Sequence, residues 1–325
     1  YSVHFIDANN GALAGSEIIL MTSDGGKSWK TVFSDPDSVI LSIRFVNKDT
    51  GWATGLNGLM LHTFDGGKTW EQQDTEAKLH AQLVKVQGCE IRSLDFLNIN
   101  EGWGVGEGNM VLYTADGGKT WIPQSNTPTI GNFDINRGKE ECDYGFYDVD
   151  FVDKNNGWVV GWNGQIFHTN DGGFTWEAQQ SGTNNVLLAV HFVNDKKGWA
   201  VGEYGVIIHT DDGGNTWTAQ SGSSELQSGI FFIDENEGWI VGDRGMILHS
   251  IDGGITWEIQ NSESKECLSR VIFVNNKNGW AVGTGGAILH TSDGGKKWEA
   301  QKSNTNDVLL GVHFINEREG WVCGM

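Results

Sequence analysis

Apolar runs of four to seven residues, broken by glycine, asparagine and aspartate, recur from one end of the chain to the other. Residues 187–193 (Leu-Leu-Ala-Val-His-Phe-Val) form one such run, and a polar turn at 194–197 leads to Gly198-Trp199-Ala200-Val201-Gly202. Glu203-Tyr204-Gly205 turns the chain into Val206-Ile207-Ile208-His209-Thr210, and beyond a Gly-Gly turn comes Trp217-Thr218-Ala219-Gln220. Segments this short, separated by turn formers, predict four antiparallel strands joined by hairpins. Strands apolar on both faces imply a sheet packed between two neighbours. No window sustains a period of 3.6, which excludes a helical solenoid.

The unit is copied along the chain. Asp24, Asp65, Asp116, Asp171, Asp212, Asp252 and Asp293 each sit in a box of the form Ser/Thr-x-Asp-Gly-Gly-x-Thr/Ser-Trp, with Lys297 the one departure at the second hydroxyl position. The intervals between them are 41, 51, 55, 41, 40 and 41 residues, and a period near forty indicates a propeller. The expectation is an all-β, seven-bladed β-propeller of four-stranded antiparallel blades with Asp-box hairpins, in one domain spanning 1–325. The opening unit is degenerate, with Ala12 where tryptophan belongs, and residues 309–324 begin a further copy. That segment is expected to lie against the N-terminal blade and close the ring. The alternative is an eight-bladed ring with an incomplete last blade.

Turn chemistry accounts for the box. The aspartate accepts backbone N–H bonds inside the hairpin, the glycines supply positive φ, and the tryptophan packs over the turn. A residue repeated in every blade belongs to the scaffold, so none of the seven aspartates is assigned to catalysis or metal binding. His62, His168, His209, His249 and His290 share one third-strand position, and His4, His191 and His313 one first-strand position. Only His80 lies off the pattern. Seven tryptophans close the boxes, seven follow the second-strand glycine, and Trp162 alone is left over.

Composition narrows the partners. Acidic residues outnumber basic ones 42 to 22, for a formal charge of −20. Such a surface repels phosphate backbones and anionic lipid heads, which argues against nucleic acid and membranes as partners. No apolar run approaches the ~20 residues of a membrane helix. The four cysteines lack CxxC spacing, so neither a metal site nor a cofactor is expected.

Gly-Trp-x-Val-Gly, then Gly-x-Ile-x-His-Thr, then Asp-Gly-Gly-x-Thr-Trp resembles the Ycf48/HCF136 type of photosystem II stability and assembly factor, repeat by repeat over essentially the whole chain. Residues 279–291 (Gly-Trp-Ala-Val-Gly-Thr-Gly-Gly-Ala-Ile-Leu-His-Thr) carry the resemblance most specifically. It implies a seven-bladed propeller acting outside the cytoplasm (periplasmic, lumenal, cell-surface or secreted) as a non-enzymatic assembly chaperone. Other Ycf48-like proteins are secreted or surface-attached in non-photosynthetic bacteria.

Function has to reside where the repeat is broken. From box tryptophan to the next first-strand phenylalanine, Trp70 to Phe96 takes 26 residues and Trp121 to Phe151 takes 30, against 15 or 16 elsewhere. Both insertions fall in the crossovers that share a face with the turns between second and third strands. On that face consecutive units offer Trp162, Tyr204 and Arg244, residue types enriched at interface hot spots. These three are the expected partner-binding residues, the partner being a protein or, alternatively, a glycan. Each insertion also carries one cysteine, and a Cys89–Cys142 disulfide is expected over two free thiols in an oxidising compartment; Cys267 and Cys323 are left unassigned.

The runner-up is a glycan-active Asp-box enzyme of sialidase or glycoside hydrolase type. A sialidase needs three arginines around one pocket, but Arg44, Arg92 and Arg270 occupy different positions within their strands. Asp95 and Asp150 are the only candidates for paired hydrolytic carboxylates at equivalent inner positions. They have a simpler expected role. Just before the first-strand phenylalanine, consecutive units carry His4, Arg44, Asp95, Asp150, His191, Phe231 and Ile272. A buried charge there calls for a partner in the neighbouring blade, so Arg44–Asp95 and Asp150–His191 are expected to be inter-blade couples.

Overall fold

The computed structural model describes residues 2–56, 59–73, 91–118, 120–124, 145–220, 225–314 and 316–324. These fold into two compact units, Ser2–Gln179 and Gln180–Met325. Among the described residues the regular structure is strands, joined by short turns, some of them single 3-10 turns.

In the first unit, β1 (Ser2–Phe5), β2 (Gly11–Thr22), β3 (Lys30–Phe45), β4 (Gly51–Gly55), β5 (Met60–Thr63) and β6 (Glu71–Gln72) make sheet I. Sheet II contains β7 (Ile91–Phe96), β8 (Gly102–Gly106), β9 (Met110–Thr114) and β10 (Ile122–Pro123). Sheet III contains β11 (Phe146–Phe151), β12 (Gly157–Gly161), β13 (Ile166–Thr169) and β14 (Glu177–Gln179). In the second unit, sheet IV is β15 (Leu187–Phe192), β16 (Gly198–Gly202), β17 (Ile207–Thr210) and β18 (Thr218–Ala219). Sheet V is β19 (Gln227–Phe232), β20 (Gly238–Gly242), β21 (Ile247–Ser250) and β22 (Glu258–Gln260). Sheet VI is β23 (Leu268–Phe273), β24 (Gly279–Gly283), β25 (Ile288–Thr291) and β26 (Glu299–Gln301), and β27 (Leu309–Phe314) and β28 (Gly320–Gly324) form a two-stranded sheet packed on β23 and β24.

Among the described residues six blade sheets of four strands or more are therefore present, not the seven or eight that the boxes suggest. The first repeat makes no sheet of its own. Only Ser16 and Glu17 separate Gly15 from the apolar run that follows, so second and third strands merge into β2, with Glu17 at φ 65. β3 then runs unbroken through Asp35-Pro36, serving both the first repeat and the second.

Within each unit, stacked aromatic rings tie one sheet to the next. Trp199 lies between His209 of its own sheet (5.1 Å) and Phe232 of sheet V (3.6 Å), and Phe232 meets Trp257 edge-on at 5.8 Å. Trp239, His249, Phe273 and Trp298 repeat the arrangement one sheet on. The buried indole N–H has its acceptor in the following Asp box: Trp199 Nε1 donates to Gly253 O at 3.0 Å, as Trp52 does to Gly117 O and Trp103 to Gly172 O. A Cβ on Gly254 would approach Trp199 Nε1 to 2.5 Å, and its φ is +79°, so the second glycine of the box is needed for close approach as well as for the turn.

Inside the box, Thr63 Oγ1 donates to Asp65 Oδ1 (2.9 Å) and accepts from Gly67 N (2.8 Å), while Thr69 donates its N–H to Oδ1 (3.0 Å) and its hydroxyl to Oδ2 (2.7 Å). Partial burial works against ionisation of Asp65, but the Thr69 and Thr63 bonds outweigh it and bring its pKa from 3.8 to about 2. Asp24 also falls to about 2, chiefly through Ser28, and Asp171, Asp212, Asp252 and Asp293 are lowered too. A carboxylate whose folded pKa is depressed stabilises the fold above its unfolded pKa and loses that contribution as pH falls through the folded value. Stability is therefore expected to drop between pH 3.8 and about 2. Replacing Thr69 with valine should shallow that slope in denaturant titrations at stepped pH; an unchanged slope would show that the boxes do not set it.

Candidate functional site

The turns between second and third strands in sheets III to VI share one geometry. Each is a 3-10 turn pinned to the start of the first strand: Trp162 N donates to Gly145 O (3.1 Å), Glu203 N to Val186 O (3.0 Å), Asp243 N to Leu226 O (3.0 Å) and Thr284 N to Cys267 O (2.9 Å). The middle residue is left-handed in every case: Asn163, Tyr204 and Arg244 at φ 55, and Gly285 at φ 61. Asparagine and glycine suit that region; a tyrosine or arginine there costs about 1–2 kcal/mol. Two neighbouring turns thus hold large side chains in a disfavoured backbone, and such strain concentrates at functional sites.

In the second unit, Tyr204 is 76% exposed, on a turn that packs against β19 of the next sheet, which carries Arg244 on its own turn. The Arg244 side chain is 80% exposed and its Nη1 stands 3.3 Å from Glu225 Oε1, a surface pair of little energetic weight. It borders an open cavity of about 500 Å³ lined in part by Glu225, Met246, Ile259, Glu263 and Lys265. In the first unit, Trp162 is 39% exposed but stands one place earlier in its turn than Tyr204 and Arg244 do in theirs. Its counterparts are Glu203 and Asp243. The structure therefore makes Tyr204 and Arg244 equivalent and sets Trp162 out of register with them. Both long insertions, with Cys89, Cys142 and His80, lie outside the described residues.

Asp95 and His4, at two of the inner polar positions, bond backbone amides of the next first strand. Asp95 Oδ2 accepts the backbone N–H of Phe151 in the next sheet at 2.8 Å, and His4 Nδ1 accepts that of Phe45 at 3.3 Å. His191 also bonds the backbone of Phe232, in the sense that favours its protonated ring. β11 is the edge strand of its sheet, and Asp95 satisfies an amide that the ladder leaves open there. Arg44 is exposed and needs no buried partner; it acts on Asp95 only through its field. Burial pushes the Asp95 pKa up, while burial lowers His191 to about 4 and keeps it neutral.

Sequence reasoning missed one buried ion pair. Arg92 Nη2 meets Glu107 Oε1 at 2.8 Å, with side chains 16% and 7% exposed, and the guanidinium lies 4.3 Å from the centre of the Tyr147 ring. The register slips between Ile91 and Ser93 and between Phe146 and Asp148, which bulges Arg92 and Tyr147 out of the ladder and brings them together. Among the described residues no group of three His, Cys, Asp or Glu is placed to hold a metal ion, and no helix is long and apolar enough to cross a membrane.

Comparison with known proteins agrees with this architecture. The family model described as photosynthesis system II assembly factor YCF48 matches residues 1–79, 28–128, 136–228, 219–306 and 263–325. The photosystem II assembly lipoprotein Ycf48 of Synechococcus sp. (strain CC9902) is 33% identical over 124 residues, 37% of this chain and 34% of that protein. The chloroplastic photosystem II stability/assembly factor HCF136 of Arabidopsis thaliana is 34% identical over 104 residues, 30% of this chain and 25% of that protein. The chain thus aligns with about a third and a quarter of the length of these curated relatives. The solved YCF48 of Cyanidioschyzon merolae superposes with a TM-score of 0.69 at 24% identity, covering 91% of this chain and 96% of the other. A YCF48 bound to a D1 peptide gives 0.69 at 20% identity, covering 100% and 95%. These likenesses show the fold, an all-β propeller.

Proposed function

Because this chain belongs to the family of the photosynthesis system II assembly factor YCF48, we propose that it is a protein-binding propeller of the assembly-factor kind, working as a single domain over 1–325. Its partner is a polypeptide, in keeping with the D1 peptide bound by a solved relative, and it docks on the turns bearing Trp162, Tyr204 and Arg244. The work is done by binding, without a covalent step. A site outside the cytoplasm fits relatives named as a lipoprotein and as chloroplastic.

The observation that carries this reading is the pair of left-handed, exposed side chains, Tyr204 and Arg244, on adjacent turns. Neither is needed to build a turn that Asn163 and Gly285 build as well in sister sheets. Strain without a folding benefit points to selection for contact. The test replaces Trp162, Tyr204 and Arg244 together with alanine. The melting temperature is expected to stay within a few degrees of the parent, while recovery of the native partner, cross-linked and identified by mass spectrometry, falls about tenfold or more. Equal recovery, or an unfolded variant, would overturn the assignment.

A further inference from the structure

Sheet V differs from the adjoining sheets IV and VI on the outer hairpin, whose last strand β22 also lines the cavity beside Arg244. Ile251 and Ile255 fill the two variable positions of the Asp252 box and Ile259 sits in the middle of β22; they are 72%, 71% and 77% exposed. The corresponding positions of sheet VI hold Ser292, Lys296 and Ala300, and those of sheet IV hold Asp211, Asn215 and Ala219. The box geometry around Asp252 is the same as elsewhere, with Thr256 N at 2.9 Å from Oδ1, so folding does not ask for isoleucine at these places. Three exposed branched apolar side chains on one hairpin are a cost to solubility that a bound partner would offset.

Charge supplies a second, independent observation. Residues 227–264 hold seven acidic side chains against one basic, Arg244, whereas residues 268–303 of sheet VI hold two acidic against five basic. The apolar hairpin is thus on an acidic sheet, next to a basic one. β22 is also the terminal strand of sheet V, so its outer backbone edge is open to pairing among the described residues. A second copy of this chain fits poorly. It would bring its own −20 charge, and a stable dimer hides roughly 800 Å² per partner, more than one short hairpin presents.

We infer that the outer hairpin of sheet V docks an extended basic segment of a partner protein, in which apolar residues alternate with lysine or arginine. The apolar side chains cover Ile251, Ile255 and Ile259, the cations face carboxylates such as Glu258 and Glu263, and the segment's backbone runs along β22. The inference rests on the reading of the chain as a protein-binding propeller and names a partner chemistry at a surface whose three isoleucines stay in place when the turn residues are substituted.

The test measures fluorescence anisotropy of a labelled synthetic peptide alternating valine with lysine, titrated with the whole chain at low salt. Three proteins are compared: the parent, a variant carrying Ile251→Ser, Ile255→Lys and Ile259→Ala (the residues of sheet VI), and the variant with alanine at Trp162, Tyr204 and Arg244. The parent is expected to bind, with affinity falling steeply as salt rises. The isoleucine variant should bind about tenfold or more weakly at an unchanged melting temperature, and the turn variant at least as tightly as the parent, since it removes the one basic side chain of residues 227–264. The inference is overturned if no binding is seen, if the isoleucine variant binds equally, or if a valine–glutamate peptide binds as well. Concentration-dependent dimerisation of the parent that the isoleucine variant abolishes would overturn it too, in favour of a second copy.

Discussion

Replacing Trp199 with alanine is expected to destabilise the second unit by about 3–5 kcal/mol, the range for deleting a fully buried large aromatic. The side chain is 0% exposed, lies between His209 and Phe232, and donates its N–H to Gly253 O. Its loss opens a cavity, strips a ring face from Phe232 and leaves a buried carbonyl of the next Asp box without its donor. Phenylalanine at the same position should recover most of the packing but not the bond, leaving a deficit of about 1–2 kcal/mol. Urea titrations of the three proteins measure both steps. Equal stability of the phenylalanine variant and the parent would show that the indole-to-box bond contributes nothing.

Replacing Glu107 with alanine is expected to cost about 3–5 kcal/mol, because it removes the carboxylate that the buried Arg92 guanidinium faces at 2.8 Å. Substituting both, with Arg92→Met and Glu107→Leu, should recover much of the loss, since a desolvated pair is worth little against a well-packed apolar one. The double variant settles whether the pair is structural. If it folds as stably as the parent, Arg92 and Glu107 give the region specificity rather than stability. If it is as unstable as Glu107→Ala alone, the guanidinium makes further contacts that methionine cannot replace.

These two cases mark how far the sequence could be read. The Asp boxes and the tryptophans repeat at a fixed period, so their scaffold role was legible before any coordinates. Their linking of one sheet to the next was not, because nothing local in Trp199 points to Gly253. The Arg92–Glu107 pair was invisible for another reason: a one-residue bulge sets which way Arg92 projects, and bulges leave no mark in an apolar pattern. The sheet count went astray at the first repeat, where the short link at Ser16–Glu17 lets two strands run on as one. At the candidate site, Tyr204 and Arg244 were singled out together and do hold equivalent places in their turns, but Trp162 was set beside them by counting turns. Counting back from Gly164, Gly205 and Gly245 would have shown that Asn163, not Trp162, is their equivalent. The inner carboxylate Asp95 was matched to Arg44 by its charge, whereas the edge strand beside it needed an acceptor for the Phe151 amide.

The central claim is that the turn side chains are retained for binding at the expense of the fold, and a single variant tests it. Tyr204→Gly relaxes a backbone held at φ 55 while removing the most exposed aromatic ring among the described residues. Measured side by side, its unfolding free energy is expected to rise by about 0.5–1 kcal/mol, and its recovery of the native partner to fall several-fold. A variant that loses stability, or that gains stability and still holds its partner as the parent does, would contradict the claim.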